Sequence, residues 1–178
     1  VSGLRVIGLA GWSGAGKTTL LARLIPVLVQ RGVRVATLKH AHHAFDIDHP
    51  GKDSHVHRQA GASEVIVASA RRWAQIREVG DGSEATLSEL LRRLTPTGLA
   101  LVEGYKREPH PKLEVFRAAN DRPPLHGEDP RIVGIASDVA FPEARVPVVG
   151  LDDIGAIADL VLDRAEPLGT VLARLEGA

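Results

Sequence analysis

The chain has 178 residues with 22 Lys+Arg against 22 Asp+Glu, so its formal net charge is zero and no global basic field points to nonspecific nucleic-acid binding. It contains no cysteine, which excludes disulfides, thiolate zinc sites and cysteine nucleophiles. Aromatic residues make up only 3%, too few for base-stacking platforms, and no apolar run is long enough to span a bilayer. Val1 to Ala10 does not read as a cleavable signal segment. The expectation is a cytoplasmic, single-domain protein over residues 1–178, with neither a nucleic-acid nor a membrane partner.

Leu4 to Ala10 is a continuous apolar run, the pattern of a buried strand. The next stretch, Gly11-Trp12-Ser13-Gly14-Ala15-Gly16-Lys17-Thr18, fits G-x-x-x-x-G-K-[ST], the phosphate-binding P-loop. Its glycines let the backbone wrap a phosphate, and successive N–H groups form an anion-binding concavity at a helix N-terminus. Lys17 is placed to reach β- and γ-phosphates, and the Thr18 hydroxyl to ligand Mg²⁺. Trp12 either covers a bound nucleotide or packs on a neighbouring strand. The apolar spacing Leu20, Leu21, Leu24, Ile25, Leu28 predicts a helix over Lys17 to Arg31, kinked at Pro26 and stopped at Gly32. Val33 to Leu38 is the second strand. A strand–helix–strand unit of this kind demands a parallel pair with a right-handed crossover.

Lys39 to Gly61 carries six of the eight histidines, between His40 and His57. Asp46 to Ser54 reads either as a switch loop, with Asp48 and Asp53 behind a metal and Lys52 near phosphate, or as a solvated charged loop. The histidines suggest a transition-metal site or hydrogen bonding at a partner interface. A short helix is predicted from Pro50 to about Ala60. Glu64 to Ser69 and Trp73 to Val79 read as a hairpin turning at Ala70 to Arg72, whose exposed edge is suited to pairing across a twofold axis. Glu84 to Leu94 is predicted helical.

Gly98 to Val102 is a buried strand ending at Glu103-Gly104, the form of a Walker B strand. Glu103 there either holds Mg²⁺ or polarises an attacking water, and the Gly104 N–H is free to approach a γ-phosphate. Leu113 to Phe116, Ile132 to Ala136 and Val146 to Val149 are further strands, and Asn120 to Pro130 reads as a surface loop. Ser137-Asp138 is the nearest candidate for a guanine contact. It serves equally well as a helix or turn cap. Asp152 is the predicted N-cap of a helix reaching Arg164, with a short terminal helix after Pro167. The alternation of helices and buried strands predicts a three-layer α/β sandwich with a mostly parallel sheet and an antiparallel hairpin extension. The carboxyl ends of the strands would then gather the P-loop, Lys39, Glu103 and Asp138 on one face.

With these blocks in view, the chain resembles the MobB family of molybdopterin-guanine dinucleotide biosynthesis adaptors. The resemblance is carried by G-W-S-G-A-G-K-T-T, ending at Thr19, by L-K-H-A-H-H-A-F-D-I-D-H-P-G-K-D-S, by L-V-E-G-Y-K-R-E-P-H-P-K-L-E-V-F-R and by D-P-R-I-V-G-I-A-S-D. It implies a weak GTPase acting with Mg²⁺, homodimeric, working beside the guanylyltransferase that joins GMP to molybdopterin. An Asp common ahead of the V-E-G strand in such proteins is absent, since Gly98 and Ala100 occupy that region, so metal liganding on this strand rests on Glu103. The alternatives are a metallochaperone GTPase using the His-rich loop, and a small-molecule kinase with Arg71, Arg72, Arg77, Arg92 and Arg93 as lid candidates.

Overall fold

A computed structural model describes residues 3–41, 45–80 and 84–177. In chain order the elements are β1 (Leu4–Ala10), α1 (Lys17–Gln30), β2 (Val35–Lys39), α2 (Asp53–Gln59), β3 (Glu64–Ala68), β4 (Trp73–Arg77) and α3 (Leu87–Leu91). They continue with β5 (Gly98–Glu103), β6 (Lys112–Phe116), a 3₁₀ turn (Ala118–Asn120), β7 (Ile132–Ser137), β8 (Val148–Gly150), α4 (Ile154–Arg164), β9 (Glu166–Pro167) and α5 (Leu168–Glu176). The chain divides into two compact units, one of Val1–His40 with Leu87–Ala178, the other Ala41–Thr86.

The larger unit holds a seven-stranded sheet in the order β2-β5-β1-β6-β7-β8, all parallel, with β9 antiparallel beside the start of β1. Successive residues of β1 and β5 feed opposite faces. Ile7, Leu9, Leu99 and Leu101 pack with Leu20, Leu24 and Leu28 of α1 and with Ile157 and Val161 of α4. Leu4, Val6, Ala100 and Val102 pack with Leu87 and Leu91 of α3 and with Val171 and Leu172 of α5. Both faces are covered, which is why these strands read as unbroken apolar runs. Leu24 and Leu28 are fully buried, each worth about 1.5–3 kcal/mol.

α1 runs without interruption through Pro26. Pro26 and Ala22 are both exposed, so water can take the Ala22 carbonyl that the proline leaves unbonded. The helix ends in a Schellman arrangement: the Val33 N–H donates to the Leu28 carbonyl (3.0 Å) and the Gly32 N–H to Val29 (2.9 Å). α3 is far shorter than the helix expected from Glu84 to Leu94. The Arg93 and Leu94 N–H groups bond three residues back, to Leu90 and Leu91, tightening the chain into a turn before Pro96. Asp153, not Asp152, caps α4, its Oδ1 accepting from the Ala156 N–H at 2.9 Å. Asp152 is instead paired to Arg23 at 2.8 Å. β9 carries no sequence signal because two residues show no period. It is held where Arg5 donates to the carbonyls of Leu162 (2.6 Å) and Ala165 at the end of α4.

In the smaller unit β3 and β4 form the expected antiparallel hairpin, Glu64 opposite Arg77 and Ala68 opposite Trp73. Trp73 and Ile66 are exposed on it. Arg58 of α2 gathers Asp46 (2.9 Å), Asp48 (3.3 Å) and Glu78 (2.7 Å). The hydrogen bond from Arg58 holds the Asp46 carboxyl below the usual carboxylate range. Among the described residues no helix is long and apolar enough to cross a membrane.

Candidate functional site

The P-loop sits between β1 and α1, as its motif requires. Gly11 has φ 151°, and a Cβ there would stand 2.5 Å from the Val115 carbonyl oxygen, so only glycine fits against β6. Ala15 is buried and its N–H donates to the Trp12 carbonyl (3.1 Å). Gly16 accepts the first α1 bond from the Leu20 N–H (2.8 Å). Ser13, Gly14, Thr18 and Thr19 are exposed. The Lys17 ammonium arches back to the carbonyls of Gly11 (2.8 Å) and Trp12 (3.1 Å). Burial holds Lys17 below the usual lysine range. Glu103 opposes that shift, and Lys106 and Lys39 add to it. Those residues therefore share one electrostatic neighbourhood.

β5 lies beside β1 with Leu9 opposite Glu103, and β2 beside β5 with Lys39 opposite Glu103. This register brings the Thr18 hydroxyl to Glu103 Oε1 at 3.1 Å. One oxygen comes from the first turn of α1 and the other from the end of β5; the Thr18 hydroxyl donates to the carboxylate here, and a hard cation in place of that proton would find both oxygens as ligands. Adjacent ligands of an octahedron with 2.0–2.1 Å bonds stand about 2.9 Å apart. The residues present thus fit Mg²⁺. Gly104 turns beside His40, whose N–H donates to the Glu103 carbonyl (2.9 Å) and whose ring lies 4.7 Å from that of Tyr105.

Ser137 and Asp138 stand at the end of β7. Ser137 Oγ accepts from the Val139 N–H (3.0 Å), and Asp138 Oδ1 from the Ala118 N–H (2.9 Å). One Asp138 oxygen therefore works as a turn cap, and its other oxygen makes no hydrogen bond among the described residues. Both residues line an open cleft of about 450 Å³ with Phe141, Val148, Val149 and Gly150. Asp53 begins α2 in the smaller unit, and Asp48 is committed to Ser54 (2.8 Å) and Arg58. Among the described residues no three His, Asp or Glu side chains gather as a metal site. His42 and His43 lie outside the described residues.

One brace has no sequence signal. The segment expected to be a surface loop folds against the P-loop: Asn120 Nδ2 donates to the Ser13 carbonyl (3.2 Å) and Trp12 Nε1 to the Pro123 carbonyl (2.8 Å). Lys106 and Arg122 each lie 5.5 Å from the centre of the Trp12 ring. Trp12 thus packs against this segment. Its Pro, Asp and Arg residues carry no period from which the contact could be read. Behind it, Glu114 is buried and accepts from the N–H groups of Leu125 (2.6 Å) and His126 (2.9 Å), pinning the loop.

The family model for molybdopterin guanine dinucleotide synthesis protein B, MobB, matches residues 6–138. The chain belongs to the MobB family. It is 42% identical over 161 residues to the molybdopterin-guanine dinucleotide biosynthesis adapter protein of Escherichia coli K12, covering 89% of this chain and 91% of that protein. It is 38% identical to the Haemophilus influenzae protein of the same name, covering 88% and 86%. The crystal structure of a molybdopterin-guanine biosynthesis protein B superposes with a TM-score of 0.70 at 26% identity, over 89% of this chain and 97% of that one. Bacillus subtilis MobB shares the fold at a TM-score of 0.68 and 23% identity, over 91% and 98%. The α/β architecture with its mostly parallel sheet and small antiparallel hairpin is that of MobB structures.

Proposed function

We propose that this chain binds GTP with Mg²⁺ at the P-loop, hydrolyses it slowly, and serves as the adaptor of a cytoplasmic guanylyltransferase that completes molybdopterin guanine dinucleotide. The observation that carries the nucleotide part is the 3.1 Å approach of Thr18 to Glu103 across the P-loop, beside Lys17. The adaptor part draws support from relatives called adapter proteins of that biosynthesis. Bound Mg²⁺ would neutralise charge on the β- and γ-phosphates. Thr18 and Glu103 would hold it, Lys17 would exchange its two carbonyl partners for phosphate oxygens, and the N–H groups of Gly14 and of Gly16 to Thr19 would take up the remaining charge. Lys39 and the Gly104 N–H would complete the γ-phosphate end. The open Asp138 oxygen, at the mouth of the cleft, would accept from guanine nitrogen donors, with Ser137 buried behind it and holding the turn through Val139. The exposed face of the β3–β4 hairpin, with Trp73 and Ile66, suits a homodimer contact.

Calorimetric titration with GTP and ATP in the presence of Mg²⁺ tests this. GTP should bind more tightly than ATP, and Lys17→Ala should weaken GTP by about 1.5–3 kcal/mol, the scale of a charge-assisted hydrogen bond. Equal affinity for ATP would remove the guanine claim, and unchanged binding by Lys17→Ala would remove the site. Co-purification with a nucleotidyltransferase tests the adaptor role separately.

A further inference from the structure

We infer that Arg117 is a nucleotide contact at the ribose-proximal phosphate, a cation that no part of the P-loop motif supplies. The inference rests on the nucleotide reading above. It begins with the order of the strands. Across the carboxyl edge of the sheet stand Glu103 at the end of β5, the P-loop at the end of β1, Arg117 one residue beyond β6, and Ser137-Asp138 at the end of β7. A nucleotide laid across this edge has its ends assigned. The metal and γ-phosphate belong at Thr18 and Glu103 on the β5 side. The base belongs in the cleft lined by the segment after β7, Asp138 to Pro142, and by β8. The β-phosphate sits in the loop, and the α-phosphate and ribose fall over β6, where Arg117 stands.

The local geometry agrees. An Arg117 Nη atom lies 3.7 Å from the position a Cβ on Gly16 would take, so the guanidinium hangs over the start of α1. Arg117 backbone is fixed by the 3₁₀ turn, its carbonyl accepting from the Asn120 N–H (3.0 Å), and the same turn is latched to the P-loop through Asn120 and Ser13. Yet the guanidinium makes no hydrogen bond or ion pair among the described residues. The nearby acid, Asp152, feels Arg117 electrostatically but is bonded to Arg23 at 2.8 Å. The side chain is exposed, as are other arginines that make no side-chain bond, such as Arg93, Arg107 and Arg145; what sets Arg117 apart is its place over the start of α1. A planar five-donor group whose backbone is anchored beside the phosphate cradle, and whose exposed guanidinium lies over the start of α1, can take phosphate oxygens in bidentate fashion.

The test uses the full chain with Mg-GTP and Mg-GDP as titrants, comparing wild type, Arg117→Gln, Arg117→Lys and Lys17→Ala. Arg117→Gln should weaken GTP and GDP together, each by about tenfold, the scale of one hydrogen bond to a charged group. The ratio of the two affinities should stay as in the wild type, because both nucleotides carry the contacted phosphate. Arg117→Lys should recover part of the loss by restoring charge without the fork. The thermal midpoint should not move, since the side chain supports nothing in the fold. Arg117→Gln binding both nucleotides as the wild type does, or losing GTP alone, overturns the assignment while leaving the nucleotide reading intact. A wild type that binds neither nucleotide overturns both.

Discussion

His110 should make this protein acid-sensitive well above the carboxylate range. Its ring is fully buried, and neither nitrogen makes a well-formed hydrogen bond, the Glu108 backbone acting only as a weak partner. It packs into the space left by Gly8 of β1, where a Cβ would stand 2.3 Å from Nε2. Burial first, and then the ammonium of Lys112, push its pKa from 6.5 down to about 3. Asp129 and the Glu108 backbone pull weakly the other way. The unfolded chain therefore takes up a proton before the native one. Stability from the neutral buried ring is complete above the unfolded pKa and is lost as the pH falls through 6.5 toward 3. At about pH 5 the medium is roughly 1.5 units below the unfolded value, which costs about 2 kcal/mol relative to about pH 7.5. The assay is urea unfolding at both pH values for the wild type and for His110→Leu, which keeps bulk and removes the titration. The difference between the two proteins in pH-dependent stability should be about 2 kcal/mol, and other titrating groups cancel from it. Equal pH dependence in the two proteins would refute the reasoning, whatever the absolute stabilities.

Two further outcomes follow from the same contacts. Glu103→Gln separates the two roles open to this acid: if it polarises the attacking water, GTP turnover should fall by about 10²-fold or more while GTP affinity changes much less, because an amide oxygen stays near Thr18. Single-turnover hydrolysis beside calorimetry reads the two effects apart, and an equal loss in both would make Glu103 a binding residue only. Gly98→Ala should destabilise the fold by about 2–4 kcal/mol, read by thermal or urea unfolding, because the site combines φ 92° with a Cβ position 2.0 Å from the Arg34 carbonyl oxygen. A midpoint unchanged from wild type would show that β2 and β5 separate there at no cost.

Much of the sheet is legible in the chain because its signals are local. The P-loop glycines, the run Leu99 to Val102 ending in Glu103, and the turn between Glu64–Ala68 and Trp73–Arg77 each span a few residues whose backbone preferences need no distant partner. Local signals fail where the ends of elements are set by neighbours. Leu90 and Leu94 continue a helical period, but the chain turns out of α3 after Leu91. Asp152 has cap chemistry, but Arg23 of α1 takes its carboxylate and leaves the cap to Asp153.

By itself the sequence determined that a phosphate-binding loop lies between a buried strand and a helix, and that an acid ends another buried strand. Those are consequences of residue type and short spacing. Only the tertiary structure decided that β5 lies on one flank of β1 and β6 on the other. That order depends on which apolar faces bury together, with partners dozens of residues apart. It brings Glu103 to Thr18 on one side of the P-loop. On the other side it turns the segment from Arg117 to Pro123, much of which reads as surface loop, into the wall that braces Trp12 and Ser13. It also seals His110 against Gly8, a placement no spacing in the chain encodes.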